Sequence, residues 1–313
     1  MPGILTMTTD IVRATPASAS CRQRLAAGHT LPVATVVLAI LLLWYLLAIA
    51  LNAPQIEDRW KMAGKTGSAS ELIAATWSMD RPVLPTPDQI GAELLRTVIE
   101  EPVTSNRSLL YHAYVTASST VVGFALGTLL GILLAVGIVH LRTLDKSLMP
   151  WIIASQTIPI LAIAPMIIVV LGNFGFTGLL PKSIISMYLC FFPIVIGMVK
   201  GLRSPDPLQL DLMRSYSASR SQIFWKLRWP ASVPFLFTSL KVAIAISLVG
   251  AIVGELPTGA QAGLGARLLT GSYYGQTVQI WAALLMAAAL GALLVYAMAL
   301  IESLVLRRMG VKR

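Results

Sequence analysis

Apolar and polar residues are segregated along this chain into long blocks. Six blocks are almost free of charge: Leu31 to Leu51, Ala113 to Val139, Met149 to Leu171, Ile184 to Val199, Val242 to Glu255 and Val278 to Ile301. A helix of about 20 apolar residues is long enough to cross a bilayer, and inside a bilayer a helix satisfies its own backbone polar groups. The pattern therefore predicts an all-α integral membrane protein with six transmembrane helices. Pro159 and Pro165 interrupt the third block and Pro193 the fourth, a tolerated feature where neighbouring helices satisfy the freed carbonyls. Gly123, Gly127 and Gly131 form a stripe at every fourth residue of the second block, and Gly250 and Gly254 a GxxxG pair in the fifth. Such stripes are expected where another helix approaches closely.

The polar stretches between the blocks differ in character. Residues 1–30 are rich in Ala, Ser and Thr and read as a disordered tail; the apolar run after them is too long for the core of a signal peptide. Residues 52–112 form the longest water-facing region and are mildly acidic. Within it, 57–80 read as a solvated loop. Asp88 to Glu100 reads as an amphipathic helix at the membrane surface, with Ile90, Leu94 and Val98 on one face. The segment Leu256 to Gln276 is glycine-rich, with a short helix expected near Ala266 to Leu269.

Composition agrees with the pattern. Hydrophobic residues make up 56% of the 313 and charged residues 12%, against about 45–50% and about 25% in soluble domains. The net charge of +10 is unevenly placed. Arg13, Arg22, Arg24, Arg142, Lys146, Lys200, Arg203, Arg214, Arg220, Lys226, Arg228, Arg307, Arg308, Lys312 and Arg313 all fall on one side of a six-span topology. That side is the cytoplasmic one, with both termini inside. The basic excess is thus a topological signal and not a sign of nucleic-acid binding. Cys21 and Cys190 lie in a polar tail and an apolar run, and no disulfide is expected between them.

The most patterned polar stretch is Ser204 to Pro234. Asp206, Pro207 and Gln209 make a helix start, and Ser219 with Gln222 repeats the S-x-x-Q box. Two short helices are predicted, about Pro207 to Tyr216 and Arg220 to Trp229, joined at Ser217-Ala218. Leu208 and Leu212 share a face of the first, Ile223 and Leu227 of the second. A capped, basic helix pair between two spans is suited to docking a soluble partner.

This segment resembles the EAA loop of permease subunits of ABC importers. The pattern is Glu-Ala-Ala, three residues, Gly, nine residues, Ile, any residue, Leu-Pro. Asp211-Leu212-Met213 stands for the first three, Ser217 for Gly, and Leu227 to Pro230 for the ending. Residues 218–226 and the Leu84-Pro85-Thr86-Pro87 motif are similar to the nitrate, sulfonate and taurine branch. The resemblance covers roughly 86–308. It implies a type I, MetI-like importer permease fold, in which the first span wraps a neighbouring subunit and a five-helix core (113–303) carries the coupling loop 204–234. It implies Asp211, Arg214, Ser217, Ala218, Ser219, Arg220, Gln222 and Pro230 as the ATPase-docking residues. Ser for Gly at position 217 is a departure, because glycine most cheaply adopts a left-handed turn.

The chemistry a single-chain transporter would need is missing. No G-x-x-x-x-G-K-[ST] loop occurs; Gly259 to Gly265 lacks the lysine. His29, His112 and His140 have no metal-ligand spacing, so neither a cofactor nor enzyme activity is expected in this chain. ATP and Mg would be bound by a partner ATPase in two copies, with a second permease copy and a periplasmic substrate-binding protein completing the bacterial inner-membrane importer. No block carries a charge near its middle; Lys241 and Glu255 flank the fifth and Glu302 follows the sixth. That counts against the alternative of an ion-coupled secondary transporter. Glu255, Thr258, Arg267, Tyr273 and Tyr274 are expected to line an outer gate, Arg267 favouring an anion such as nitrate, an alkanesulfonate or taurine. Thiamine-pyrimidine precursors and riboflavin are the other substrates of that branch.

Overall fold

The computed structural model describes residues 30–257 and 262–310. The expected tail and Cys21 lie outside these, as does Thr258. The chain divides into two compact units, one ending at Ser78 and the other running from Met79.

The first unit holds helix α1 (Thr30–Met62) and helix α2 (Ala69–Trp77). The first span therefore does not stop at Leu51. Pro54 removes one backbone donor, but the residues after it favour a helix, which runs on until Gly64 at φ +64°. Gly64 N–H bonds to Lys61 O and Lys65 N–H to Trp60 O, the two bonds of a Schellman cap. Residues 57–80 are thus largely helical and not a loop. Ser68 and Glu71 close a capping box at the start of α2, and Tyr45 meets Trp77 edge-on at 5.6 Å. Both side chains of the box lie close in sequence, so this element was readable beforehand.

The second unit begins with helix α3 (Pro87–Leu95), which continues as a π turn, Arg96–Glu100. Gln89 Oε1 accepts the Thr86 N–H at 3.2 Å, and Gln89 Nε2 donates to Met79 O. Then come α4 (Leu109–His140), α5 (Arg142–Ser155), α6 (Ile160–Asn173) and α7 (Leu179–Leu202). Helix α8 (Pro207–Ser215) is followed by α9 (Arg220–Ile223), a second π turn at Phe224–Arg228, and α10 (Trp229–Glu255). Helices α11 (Leu264–Tyr273) and α12 (Thr277–Arg308) complete it. No strand occurs among the described residues.

Three elements depart from expectation. Helices α5 and α6 meet at 99°, so the third span is a broken one, bent at the segment before Pro159. The second short helix does not end at Trp229: α9, the π turn and α10 run on as one 36-residue helical stretch, Arg220–Glu255. Pro230 follows directly on the π turn, where the regular i→i−4 ladder that its missing N–H would break is already interrupted. Lys241 consequently lies in the middle of a span and not at its flank. Its ammonium is neutralised by Glu302 of α12, 2.8 Å away. The helix expected at 266–269 extends over the whole of α11.

Helix α7 is the centre of the bundle, flanked by α4 and α10. The glycine stripe of α4 explains the approach. A Cβ at Gly123 would lie 2.4 Å from Ser186 Cβ, and one at Gly127 2.3 Å from Cys190 Sγ. On the other side a Cβ at Gly250 would lie 2.7 Å from Ser186 Cα. Because lipid tails are as apolar as leucine, close packing and interhelical hydrogen bonds must hold such helices together. Here Ser247 Oγ donates to Thr120 O at 2.9 Å, Ser183 Oγ to Ser119 O at 3.3 Å, and Ser186 Oγ to Ser247 O at 2.6 Å. Ile194, Met198, Leu202, Ala135 and Ala243 are fully buried alongside. The outer faces of α6 and α12 expose Met166, Val169, Leu293 and Tyr296.

Candidate functional site

The contacts fix two ends of the bundle. At one end, the last turn of α4 and the start of α5 meet the chain between α7 and α10: Arg203 pairs with Asp145 at 2.9 Å, and His140 stacks edge-on against Phe224 at 5.1 Å. The polar segment 204–234 projects from here. Asp206 Oδ1 accepts the Leu208 N–H at 2.8 Å, capping α8. Asp211 pairs with Arg214 one turn on, both exposed, a contact worth little by itself. Ser219 Oγ and Gln222 Oε1 form the reciprocal box in full, accepting the Gln222 N–H at 3.3 Å and the Ser219 N–H at 2.8 Å.

The joint between these helices is tightly specified. Ser217 N–H bonds to Arg214 O and Ala218 N–H to Met213 O, again a Schellman cap. Ser217 has φ +53°, the left-handed conformation, and it alone among the described non-glycine residues does so. Leu208 and Leu212 on α8 and Tyr216 at its C-cap repeat every fourth residue and are 77%, 58% and 79% exposed. This row of apolar side chains on a capped helix is covered by nothing among the described residues. The joint is held from beneath by Phe224, buried against His140 and Trp229. The predicted face of Ile223 and Leu227 is only half-buried; the anchor is Phe224, which spacing alone did not single out.

At the opposite end, the start of α4, the start of α7 and the end of α10 converge. Glu255 is fully buried. Its carboxylate accepts Thr116 Oγ1–H at 2.9–3.0 Å and the Gly265 N–H at 2.9 Å, and lies 3.7 Å from Lys182 Nζ. Lys182 Nζ also donates to Ala262 O at 2.8 Å. Thr116 Oγ1 accepts the Leu264 N–H and His112 Nδ1 the Gly263 N–H. Gly263 has φ +129°, and a Cβ there would fall 2.1 Å from the Glu255 carboxyl carbon. The glycines of Gly263-Leu264-Gly265 thus let the backbone reach a buried acid. Glu255 is the keystone of a latch that ties residues 262–265 to α4 and α7.

Two of the other expected gate residues, Arg267 and Tyr274, are brought together away from Glu255. Tyr273 and Tyr274 are largely exposed. Arg267 and Tyr274 line a cavity of about 410 Å³ together with Arg96 and Arg107, two cations that sequence spacing could not associate with them. A second cavity, about 810 Å³, is lined by Tyr111, Tyr114, Phe176 and Lys182. Burial lowers the proton affinity of Arg267, and the cations of Arg107 and Arg96 add to this while Glu93 opposes it. Thr116, His112 and Lys182 were likewise missed, because partners up to 151 residues apart share no local pattern. Among the described residues no group of His, Cys, Asp and Glu could hold a metal.

Residues 127–311 match the family described as binding-protein-dependent transport system inner membrane component. The chain is 32% identical over 184 residues to a formylaminopyrimidine transport permease protein of Halalkalibacterium halodurans, covering 58% of this chain and 68% of that one. It is 29% identical over 184 residues to a riboflavin transport system permease protein of Chloroflexus aurantiacus, covering 59% and 65%. A nitrate import permease protein of Synechocystis is 27% identical over 229 residues, covering 71% and 80%. The match to the family begins at Gly127 within the α4 stripe and takes in the polar segment and, of the latch, Lys182, Glu255 and Gly263 to Gly265, while His112 and Thr116 precede it.

Proposed function

Since this chain belongs to the family of binding-protein-dependent transport system inner membrane components, and is the permease of an ABC importer of that class, we propose that it forms the translocation pathway for a small anion in two copies. Two ATPase subunits dock on segment 204–234, and a substrate-binding protein delivers cargo at the opposite end. ATP and its Mg are held by the ATPase, and no substrate is chemically changed. The observation that carries this reading is the unpartnered Leu208, Leu212, Tyr216 row on a helix fixed at both ends by caps. Basic residues gather at that same end, among them Arg142, Lys146, Arg203, Arg214, Arg220, Arg307 and Arg308, which supports a cytoplasmic position for it and for both termini.

The mechanism is alternating access. Closure of the ATPase dimer moves the two docking segments. Because the π turn Phe224–Arg228 joins α9 to α10 without a break, that motion is carried along α10 to the Glu255 latch. The spans then rock between inward- and outward-open states. Nitrate, alkanesulfonates and taurine are the preferred cargo class, on the likeness of the docking segment to that branch and of the chain to a nitrate permease; a pyrimidine precursor is the second reading, favoured by the formylaminopyrimidine relative.

The test is co-purification of this chain with the ATPase and binding protein of its transport system. Wild type should bring down the ATPase, and Asp211→Lys or Ala218→Glu should abolish uptake while membrane insertion is kept. Undiminished ATPase capture and uptake by both variants would exclude this segment as the docking site.

A further inference from the structure

We infer that Arg267, Arg107 and Arg96 form a preformed binding site for a small oxyanion at the delivery end of the bundle, a proposal that rests on the importer reading above. Three independent features point to it.

The first is charge. The 410 Å³ cavity is lined by three guanidinium groups and one carboxylate, Glu101. The Arg96 guanidinium is already bridged to Glu93 at 2.8 Å. Arg267 and Arg107 are in no ion pair among the described residues. Cations brought together in a partly desolvated hollow repel one another, and an anion between them removes that cost.

The second is unmet hydrogen bonding. Arg267 Nε and Gln279 Oε1 are both buried and have no hydrogen-bond partner among the described residues. Both residues line the cavity. Buried polar atoms are almost always satisfied, so the unmet donor of Arg267 and the unmet acceptor of Gln279, both in the wall of the hollow, leave hydrogen-bonding capacity that a turn of either side chain would offer to a ligand. Guanidinium groups bind planar or tetrahedral oxyanions through paired N–H donors.

The third is placement. Arg267 stands one turn into α11, whose first residues are held by the latch: the Leu264 and Gly265 N–H groups bond to Thr116 and Glu255. Gln276 and Gln279 lie at the start of α12, against which Gly271 packs so closely that a Cβ there would fall 2.7 Å from Ile280. The wall of the site is therefore rigid, and it is three residues from the element that ties α10 to α4. Anion binding and latch position are mechanically connected.

The experiment uses the purified permease–ATPase complex without nucleotide and without binding protein. Ethanesulfonate, nitrate and taurine are titrated by calorimetry against a background of matched choline chloride. Saturable binding of at least one probe is expected. Arg267→Gln and Arg107→Gln should each weaken it on the order of tenfold, and Arg267→Lys should restore only part of the loss. Arg107→Gln serves if the buried Arg267 variant fails to assemble. ATP-driven uptake by the same complexes, reconstituted into liposomes and supplied with ATP and binding protein, separates the two claims. Uptake that is normal in both glutamine variants, or binding that chloride abolishes equally in wild type and variants, overturns the site while the importer stands. Binding seen only when the binding protein is added shows that protein to hold the anion and overturns the site on the permease. Absence of ATP-driven uptake in wild type overturns the reading beneath it.

Discussion

Replacing Glu255 with alanine should destabilise the folded chain strongly, and the structure indicates by how much. The carboxylate is fully buried and accepts from Thr116 Oγ1 and from the Gly265 N–H. Its loss orphans that N–H and leaves the Lys182 ammonium, only 10% exposed, without a counter-charge. Removing one member of a buried ion pair typically costs about 3–5 kcal/mol. Two features place the cost at the lower end. Lys182 keeps its bond to Ala262 O, and it lines the 810 Å³ cavity, from which water can solvate it. At about 2–4 °C per kcal/mol for a chain of this size, roughly 3 kcal/mol lowers the midpoint by about 6–12 °C. Thermal unfolding in detergent, followed by tryptophan fluorescence, is the assay. A second variant tests the cause: Lys182→Met with Glu255→Met removes both charges and should recover at least half the loss, because a well-packed apolar pair is often neutral relative to a buried ion pair. A single variant melting within about 2 °C of wild type, or a double variant worse than the single, would refute the keystone role of Glu255.

Two further outcomes follow from local geometry. Ser217→Gly should leave stability unchanged or raise it, since glycine adopts φ +53° freely and offsets its own entropy cost, whereas Ser217→Val should lose about 1–2 kcal/mol and lower ATPase capture; chemical denaturation and co-purification read the two effects. Gly127→Leu should prevent α4 from seating on α7, because even a Cβ lies 2.3 Å from Cys190 Sγ, while Gly127→Ala combined with Cys190→Ala should be tolerated better than Gly127→Ala alone; expression of folded protein by size-exclusion chromatography decides it.

What was legible in the sequence is what depends on neighbours along the chain. The apolar blocks marked the spans, the S-x-x-Q box marked the start of α9, and the glycine stripe marked the face of α4 that meets α7. The boundaries were less legible for a physical reason: helices run on through polar residues when no capping signal intervenes. Helix α1 continues to Gly64, and α10 begins thirteen residues before Val242. That shift moved Lys241 into mid-span, where its partner Glu302, 61 residues away, keeps it neutralised. The gate was the least legible part. Glu255 and Arg267 are twelve positions apart in a loop-like stretch, yet one is sealed by residues of α4 and α7 and the other faces a hollow built with Arg96 and Arg107. Local sequence carries no trace of such partners.

The central claim is tested most directly by reconstituting this chain with its ATPase into liposomes and adding the binding protein loaded with labelled substrate. The account predicts accumulation only when ATP and binding protein are both supplied, and its loss in Asp211→Lys. Accumulation driven by an ion gradient, with neither ATP nor binding protein present, would contradict it.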